Sequence, residues 1–207
     1  DQPLLKNVSL EIPYGATIAI VGHNGSGKST LINLLNRFYD PAAGDIAFDG
    51  VDFREMRVSD VRRRIALVSQ HTELFDNTVA FNIRYGKRDA TDEEVILAAQ
   101  HAHAHDFISG TLSDGYETLV GKSGSKLSGG QRRALLCNPE VLILDEATSQ
   151  IDMESEQLIR ESLEELRGLR TIVIITHREK LLELADTTYE LVEGRLVRQP
   201  SVTRNVA

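Results

Sequence analysis

Two periodicities alternate along this chain. Runs of consecutive apolar, largely β-branched residues at Thr17 to Val21, Val141 to Leu144 and Thr171 to Thr176 read as strands, and the first suits a strand buried on both faces. Between them the apolar spacing changes to three and four. "STLINLLNRF" from Ser29 reads as a helix that ends before Pro41 and Gly44, and Leu158, Ile159, Ser162, Leu163 and Leu166 share one face of a second, closed by Gly168. The opening "DQPLLKNVSLEIPYGATIAIVG" reads as short strands joined by a turn at Pro13 to Gly15, "GDIAFDG" and "RRIALVSQ" as further strands, Arg178 to Leu184 as a helix, and "YELVEGRLV" as a hairpin. In the long polar region from His71 to Ser125, Thr91 with Glu94 three residues on forms a capping box that starts a helix. Alternating strands and helices predict an α/β fold with a mainly parallel sheet. Residues 76–137 read as a helical subdomain inserted into a core made of residues 1–75 and 138–207.

Composition narrows the field. The chain has 207 residues, 41% hydrophobic and 26% charged, enough for one substantial globular core. Its 31 acidic against 23 basic residues give a net charge of -8, which argues against nucleic acid as a partner. The apolar runs fall far short of the roughly 18 residues a membrane span needs, so no direct membrane insertion is expected. Cys137 is the sole cysteine and no signal peptide opens the chain, which leads to the expectation of a cytosolic, reducing setting. Cys137 itself reads as a small core residue. "HAHAHD" puts His101 and His105 one helical turn apart, but no cysteine or carboxylate cluster completes a zinc site, so a solvated helix face is expected.

Two motifs carry chemistry. "GHNGSGKST" comprises Gly22, His23, Asn24, Gly25, Ser26, Gly27, Lys28, Ser29 and Thr30, directly after a strand and opening a helix. Glycines there let backbone N–H groups wrap phosphates, Lys28 supplies a cation, Ser29 offers a hydroxyl to Mg²⁺, and the helix N-terminus favours an anion. "VLILDE" places Asp145 and Glu146 at the carboxyl end of a buried strand, where ligands gather in open α/β sheets. Asp145 is read as holding Mg²⁺, directly or through water, and Glu146 as accepting a proton from an attacking water. Together they predict a nucleoside triphosphatase with a P-loop core and Mg²⁺, and by themselves they go no further.

A third motif sharpens this. "LSGGQ", with Ser128, Gly129, Gly130 and Gln131, precedes the acidic strand and comes after the inserted lobe. In that order the sequence closely resembles the nucleotide-binding domain of an ABC transporter, over nearly the whole chain. The resemblance implies that Gln70 is the Q-loop glutamine, touching Mg²⁺ and water and linking the nucleotide to the membrane domain. It implies that His177 contacts the γ-phosphate and that "SQID", Ser149 to Asp152, is the D-loop. "SQHTELFDNTVAFNI" resembles exporter-type members, whose residues here pack against coupling helices. The resemblance further implies a head-to-tail dimer, each ATP lying between the Lys28 loop of one copy and Ser128 to Gln131 of the other. The partners are that second domain and a transmembrane domain, fused or separate; the location is cytoplasmic, peripheral to the inner (plasma) membrane.

The sequence departs from the family in three places. The chain begins after the strand whose aromatic stacks on adenine, and the abrupt start implies trimming from a longer chain. Lys122 stands where exporter-type members usually carry glutamate. The stretch from Gln131 to Val141 is about six residues short. A true deletion there would shorten a helix by about 9 Å and rotate the succeeding residues by roughly 240°, giving a catalytically impaired domain; otherwise those residues are missing from the sequence as written. The Cα separation of Arg132 and Arg133 separates the two. A soluble ABC-type ATPase acting on ribosomes or DNA is the alternative function, and the acidic charge disfavours it.

Overall fold

A computed structural model describes residues 3–68, 74–85, 87–101, 104–121, 139–145 and 153–200. In chain order the elements are β1 (Thr17–Val21), α1 (Lys28–Leu35), β2 (Ala47–Phe48), β3 (Val51–Asp52), α2 (Val58–Arg64), β4 (Ile65–Val68), α3 (Val79–Arg84), α4 (Asp92–His101) and α5 (His105–Thr111). Next come β5 (Val141–Asp145), α6 (Met153–Leu166), β6 (Thr171–Ile175), α7 (Glu179–Leu182), β7 (Thr187–Val192) and β8 (Arg195–Arg198). The chain divides into two compact units. The first takes in Asp1–Leu67, Pro139–Glu146 and Arg167–Ala207, and the second Val68–Asn138 and Ala147–Leu166.

In the first unit the larger sheet has the order β4-β5-β6-β1-β7-β8. β1 pairs in parallel with β6 and with β7, and β5 in parallel with β6. β6 and β1 have no polar side to offer water: every residue of β6 is buried, as are the first four of β1. The core gathers Ile18, Ile20, Ile32, Ile143, Val173 and Ile175, so the strand ends, where chain leaves the sheet, are the places left for polar chemistry. β7 and β8 close as an antiparallel hairpin turned at Glu193 and Gly194, both with positive φ (48° and 80°), as a two-residue primed turn demands.

Several expectations shift in detail. Residues 3–16 contain no strand, although the turn is present, with Ala16 N–H donating to the Pro13 carbonyl at 3.0 Å. Leu5, Leu10 and Ile12 do pack against the core, but among the described residues no strand pairs with this segment, so its apolar positions serve packing and not a ladder. "GDIAFDG" keeps only Ala47–Phe48 as strand, paired with Val51–Asp52 around the positive-φ residues Asp49 and Gly50. Arg63 and Arg64 belong to α2, not to the strand after it. Asp60 in its first turn and Arg62, Arg63 and Arg64 in its last complement the helix dipole, a signal that apolar spacing alone misses. The Arg178–Leu184 helix is shorter, Glu179–Leu182, because Arg178 is extended and serves as N-cap.

The second unit has its own core of Val79, Ile83, Val95, Ala99, Ile108 and Val120. Its capping box forms in both directions. Glu94 N–H donates to Thr91 Oγ1 at 3.3 Å, and Thr91 N–H donates to the Glu94 carboxylate at 3.0 Å.

Candidate functional site

The register of the sheet sets the site. Ile20 of β1 and Asp145 of β5 both stand opposite Ile175 of β6, so the three lie in one row across the sheet. Asp145 therefore ends its strand level with the point where β1 runs into Gly22, about 10 Å away across two strand spacings. His177 lies two residues beyond Ile175. The loop, the carboxylate and the histidine thus emerge from one edge of the same sheet.

Each is positioned by local chemistry. After β1 the backbone takes positive φ at Gly22 (152°), Gly25 (80°) and Gly27 (110°), which L side chains rarely adopt. At Gly22 a Cβ would lie 2.6 Å from the Leu191 carbonyl oxygen and 2.9 Å from Ser26 Oγ. No other residue fits there. Ser26 N–H donates to the His23 carbonyl at 3.1 Å, closing the loop, and Leu31 N–H donates to the Gly27 carbonyl at 2.9 Å, opening α1. Gly27 caps that helix with no side-chain acceptor, and the first turn holds no acidic residue. The first-turn N–H groups of a helix have no acceptor within it, so here they face outward as an anion site with its dipole intact.

Lys28 is 7% exposed, and its Nζ donates to the carbonyls of Gly22 at 2.5 Å and His23 at 3.0 Å. The cation is held against the loop, beneath the place where phosphates would lie. His23, Asn24, Gly25 and Ser29 are exposed, and Ser29 sits at the second position of α1. The buried Ser26 Oγ has no hydrogen-bond partner among the described residues. Glycine-borne N–H groups, a buried cation, an accessible hydroxyl and an orphaned polar atom suit a polyphosphate. Ser29 and Asp145 supply the hard oxygen donors that Mg²⁺ prefers. His177 is exposed, and its neighbour Thr176 is buried with Oγ1 accepting from Arg178 N–H at 3.1 Å, which ties down the backbone that carries the imidazole.

Gln70, Glu146, Ser128, Gly129, Gly130, Gln131, Lys122, Cys137, the D-loop and the Arg132–Arg133 join lie outside the described residues. Of the histidine-rich stretch, His105 Nδ1 lies 2.9 Å from the Tyr116 hydroxyl, and burial pushes that phenol's pKa up. Two supports escaped the sequence reading. Leu5 closes on Gly27, where a Cβ would lie 2.9 Å from its Cδ2, and the Leu191 carbonyl closes on Gly22. Both glycines were legible as part of the phosphate loop, but their neighbours come from distant parts of the chain.

A phosphate loop between a parallel strand and a helix, with an acid at the end of the next strand but one in the sheet, defines a P-loop NTPase of the α/β class. The sequence model of the ABC transporter family matches residues 5–149, and the chain belongs to that family, as a nucleotide-binding domain of exporter type. It is 49% identical to the ATP-dependent lipid A-core flippase of Chromobacterium violaceum, over 96% of this chain and 35% of that protein. It is 46% identical to the flippase of the same name from Syntrophus aciditrophicus, over 96% of this chain and 34% of that protein. A solved structure of a bacterial Atm1-family ABC exporter with ATP bound superposes with a TM-score of 0.85 at 40% identity, covering 96% of this chain and 36% of that one. The chain spans about a third of the length of these relatives. The first alignment runs to 205 positions yet takes in 96% of 207 residues, about 199, so the relative has about six positions without a counterpart here.

Proposed function

We propose that this chain is the ATP-binding and hydrolysing motor domain of an exporter, coupling ATP-driven dimerisation to transport across a membrane. The observation that carries it is the shared row of Ile20, Ile175 and Asp145, which gathers the Lys28 loop, the Mg²⁺-type donors and His177 at one sheet edge. In this reading residues 1–75 and 138–207 form the core and residues 76–137 the helical subdomain.

The loop N–H groups, Lys28 and the N-terminus of α1 bind and orient the triphosphate. Ser29 and Asp145, with Gln70 as the family resemblance implies, would hold Mg²⁺, which would neutralise phosphate charge. Glu146, one residue past the end of β5, takes a proton from the attacking water or orients it, and His177 hydrogen-bonds the terminal phosphate. Ser128 to Gln131 of a second copy close the site from outside. Phosphoryl transfer asks mainly for such positioning and charge neutralisation, so dimer closure and reopening track the nucleotide.

The partner is a transmembrane domain, and the domain sits at the cytoplasmic side of the inner membrane through it. Support comes from the relatives, which are named as flippases and are nearly three times as long. Further support comes from an exposed apolar patch on the second unit: Phe75 (47%), Phe81 (41%), Tyr85 (49%) and Leu119 (54%). Among the described residues no helix is long and apolar enough to cross a membrane. A lipid A-core glycolipid is the cargo class the relatives' names support.

The test is ATP turnover of Glu146→Gln in the full-length chain. A drop of at least a hundredfold is expected, with ATP binding retained; a rate within twofold of the parent sinks the role of Glu146.

A further inference from the structure

We propose that Asn82 is a positioning residue for docking of the membrane partner. It fixes the backbone of Phe75 and thereby the ring cluster that the partner meets. The proposal rests on reading the exposed patch of the second unit as the partner's docking surface.

Asn82 lies on the inward side of α3, with Val79, Ala80 and Ile83, and is 7% exposed. An amide in such surroundings must satisfy both its ends. Its Oδ1 accepts from Phe75 N–H at 2.8 Å, and its Nδ2 donates to the carbonyls of Phe75 at 3.1 Å and Thr78 at 2.9 Å. One side chain thus occupies both backbone groups of Phe75, as a neighbouring strand would. The neighbours of Asn82 on the outward side, Phe81 and Tyr85, carry the other two rings. Phe75 stands 6.0 Å from Phe81, edge to face, and 4.4 Å from Tyr85. α3 and its C-cap carry Phe81 and Tyr85, and the place of Phe75 against them is set by the Asn82 amide, aided by Asn77 N–H, which donates to the Phe75 carbonyl at 2.7 Å. Helix start and bridge reinforce the same loop: Thr78 Oγ1 accepts from Phe81 N–H at 3.1 Å, and Val120 N–H donates to the Asn77 carbonyl at 3.1 Å.

A surface of loose rings could still bind a partner, but each ring would have to be ordered on contact, and ordering costs affinity and register. A fixed cluster transmits displacement in both directions. The rings are thus preset by a residue that never touches the partner.

The experiment uses the full-length transporter in lipid nanodiscs, as parent, Asn82→Leu, Phe75→Ala and the double variant. Leucine keeps the approximate volume of the amide and removes all three bonds. Each single substitution is expected to lower kcat for ATP about tenfold with KM within twofold, and the double variant to be no slower than the slower single one. Hydrogen exchange at the Phe75 amide should quicken at least tenfold in Asn82→Leu. Asn82→Asp, which keeps the acceptor for Phe75 N–H and loses both donors, should fall between. Parental kcat in Asn82→Leu overturns the assignment. So do effects that multiply in the double variant, or a rise in KM accompanying the fall in kcat, as general loosening would give. If Phe75→Ala leaves kcat at the parental value, the docking reading itself falls; if only Asn82→Leu is silent, the patch stands and Asn82 does not position it.

Discussion

At the scale of single residues the site depends on backbone more than on side chains. Gly22 illustrates it: its positive φ and the Leu191 carbonyl 2.6 Å from any added Cβ leave no room for alanine without moving β7 or the loop. Gly22→Ala is expected to destabilise the chain by about 1–3 kcal/mol and to weaken ATP binding at least tenfold, measured by urea unfolding and calorimetric titration; an unchanged affinity would show that the loop can reform elsewhere. The motif announced this glycine from sequence. The carbonyl that enforces it did not show there, since Leu191 is separated from Gly22 by most of the chain.

At the scale of elements, short helices of the second unit are set by their ends. α3 has six residues, too few to persist without packing and caps, and Thr78→Ala should cost about 1 kcal/mol of stability, read as a lower urea midpoint. α4 carries a pH-dependent start. Lys87, and next the Thr91 N–H, hold the Glu94 carboxyl below its ordinary value of 4.5. A depressed folded pKa means the stabilisation is complete above the ordinary carboxylate range and is lost as pH falls through the folded value. Amide protection in the first turn of α4 should therefore be constant from neutral pH down to about 4.5 and decline below it, and Glu94→Gln should flatten that decline. The capping box was visible as Thr91 and Glu94 in sequence because capping is local. α2 and α3 were not, because seven and six residues leave too few apolar positions to show a period.

At the scale of the whole molecule the proposed site is half of one. In the proposed dimer, Ser128 to Gln131 of a second copy would cover the N-terminus of α1. Glu146→Gln with ATP and Mg²⁺ should sediment as a dimer, and without nucleotide as a monomer; monomers alone at high concentration would mean that this domain lacks a competent interface. The same measurement bears on the short stretch after Gln131, because a helix shortened by about 9 Å could not bring Ser128 to the partner's phosphates. Hydrogen bonds to phosphate tolerate only a small misfit, so closure itself reports whether that spacing works.

The sequence by itself determined the class: an α/β domain with a phosphate loop, the acidic strand end at Asp145 and the family to which the motifs belong. These are encoded in consecutive residues, where strand, glycine spacing and helix start arise from local sterics and hydrogen bonding. The tertiary structure alone decided what those residues share. Only the pairing of β5 and β1 on either side of β6 places Asp145 level with the loop. Only packing shows that Leu5, Leu10 and Ile12 cover the core without forming a strand, that Lys28 is folded back onto Gly22 and His23, and that Asn82 grips Phe75. Contacts of this kind join residues by distance in space, and no periodicity along the chain records them.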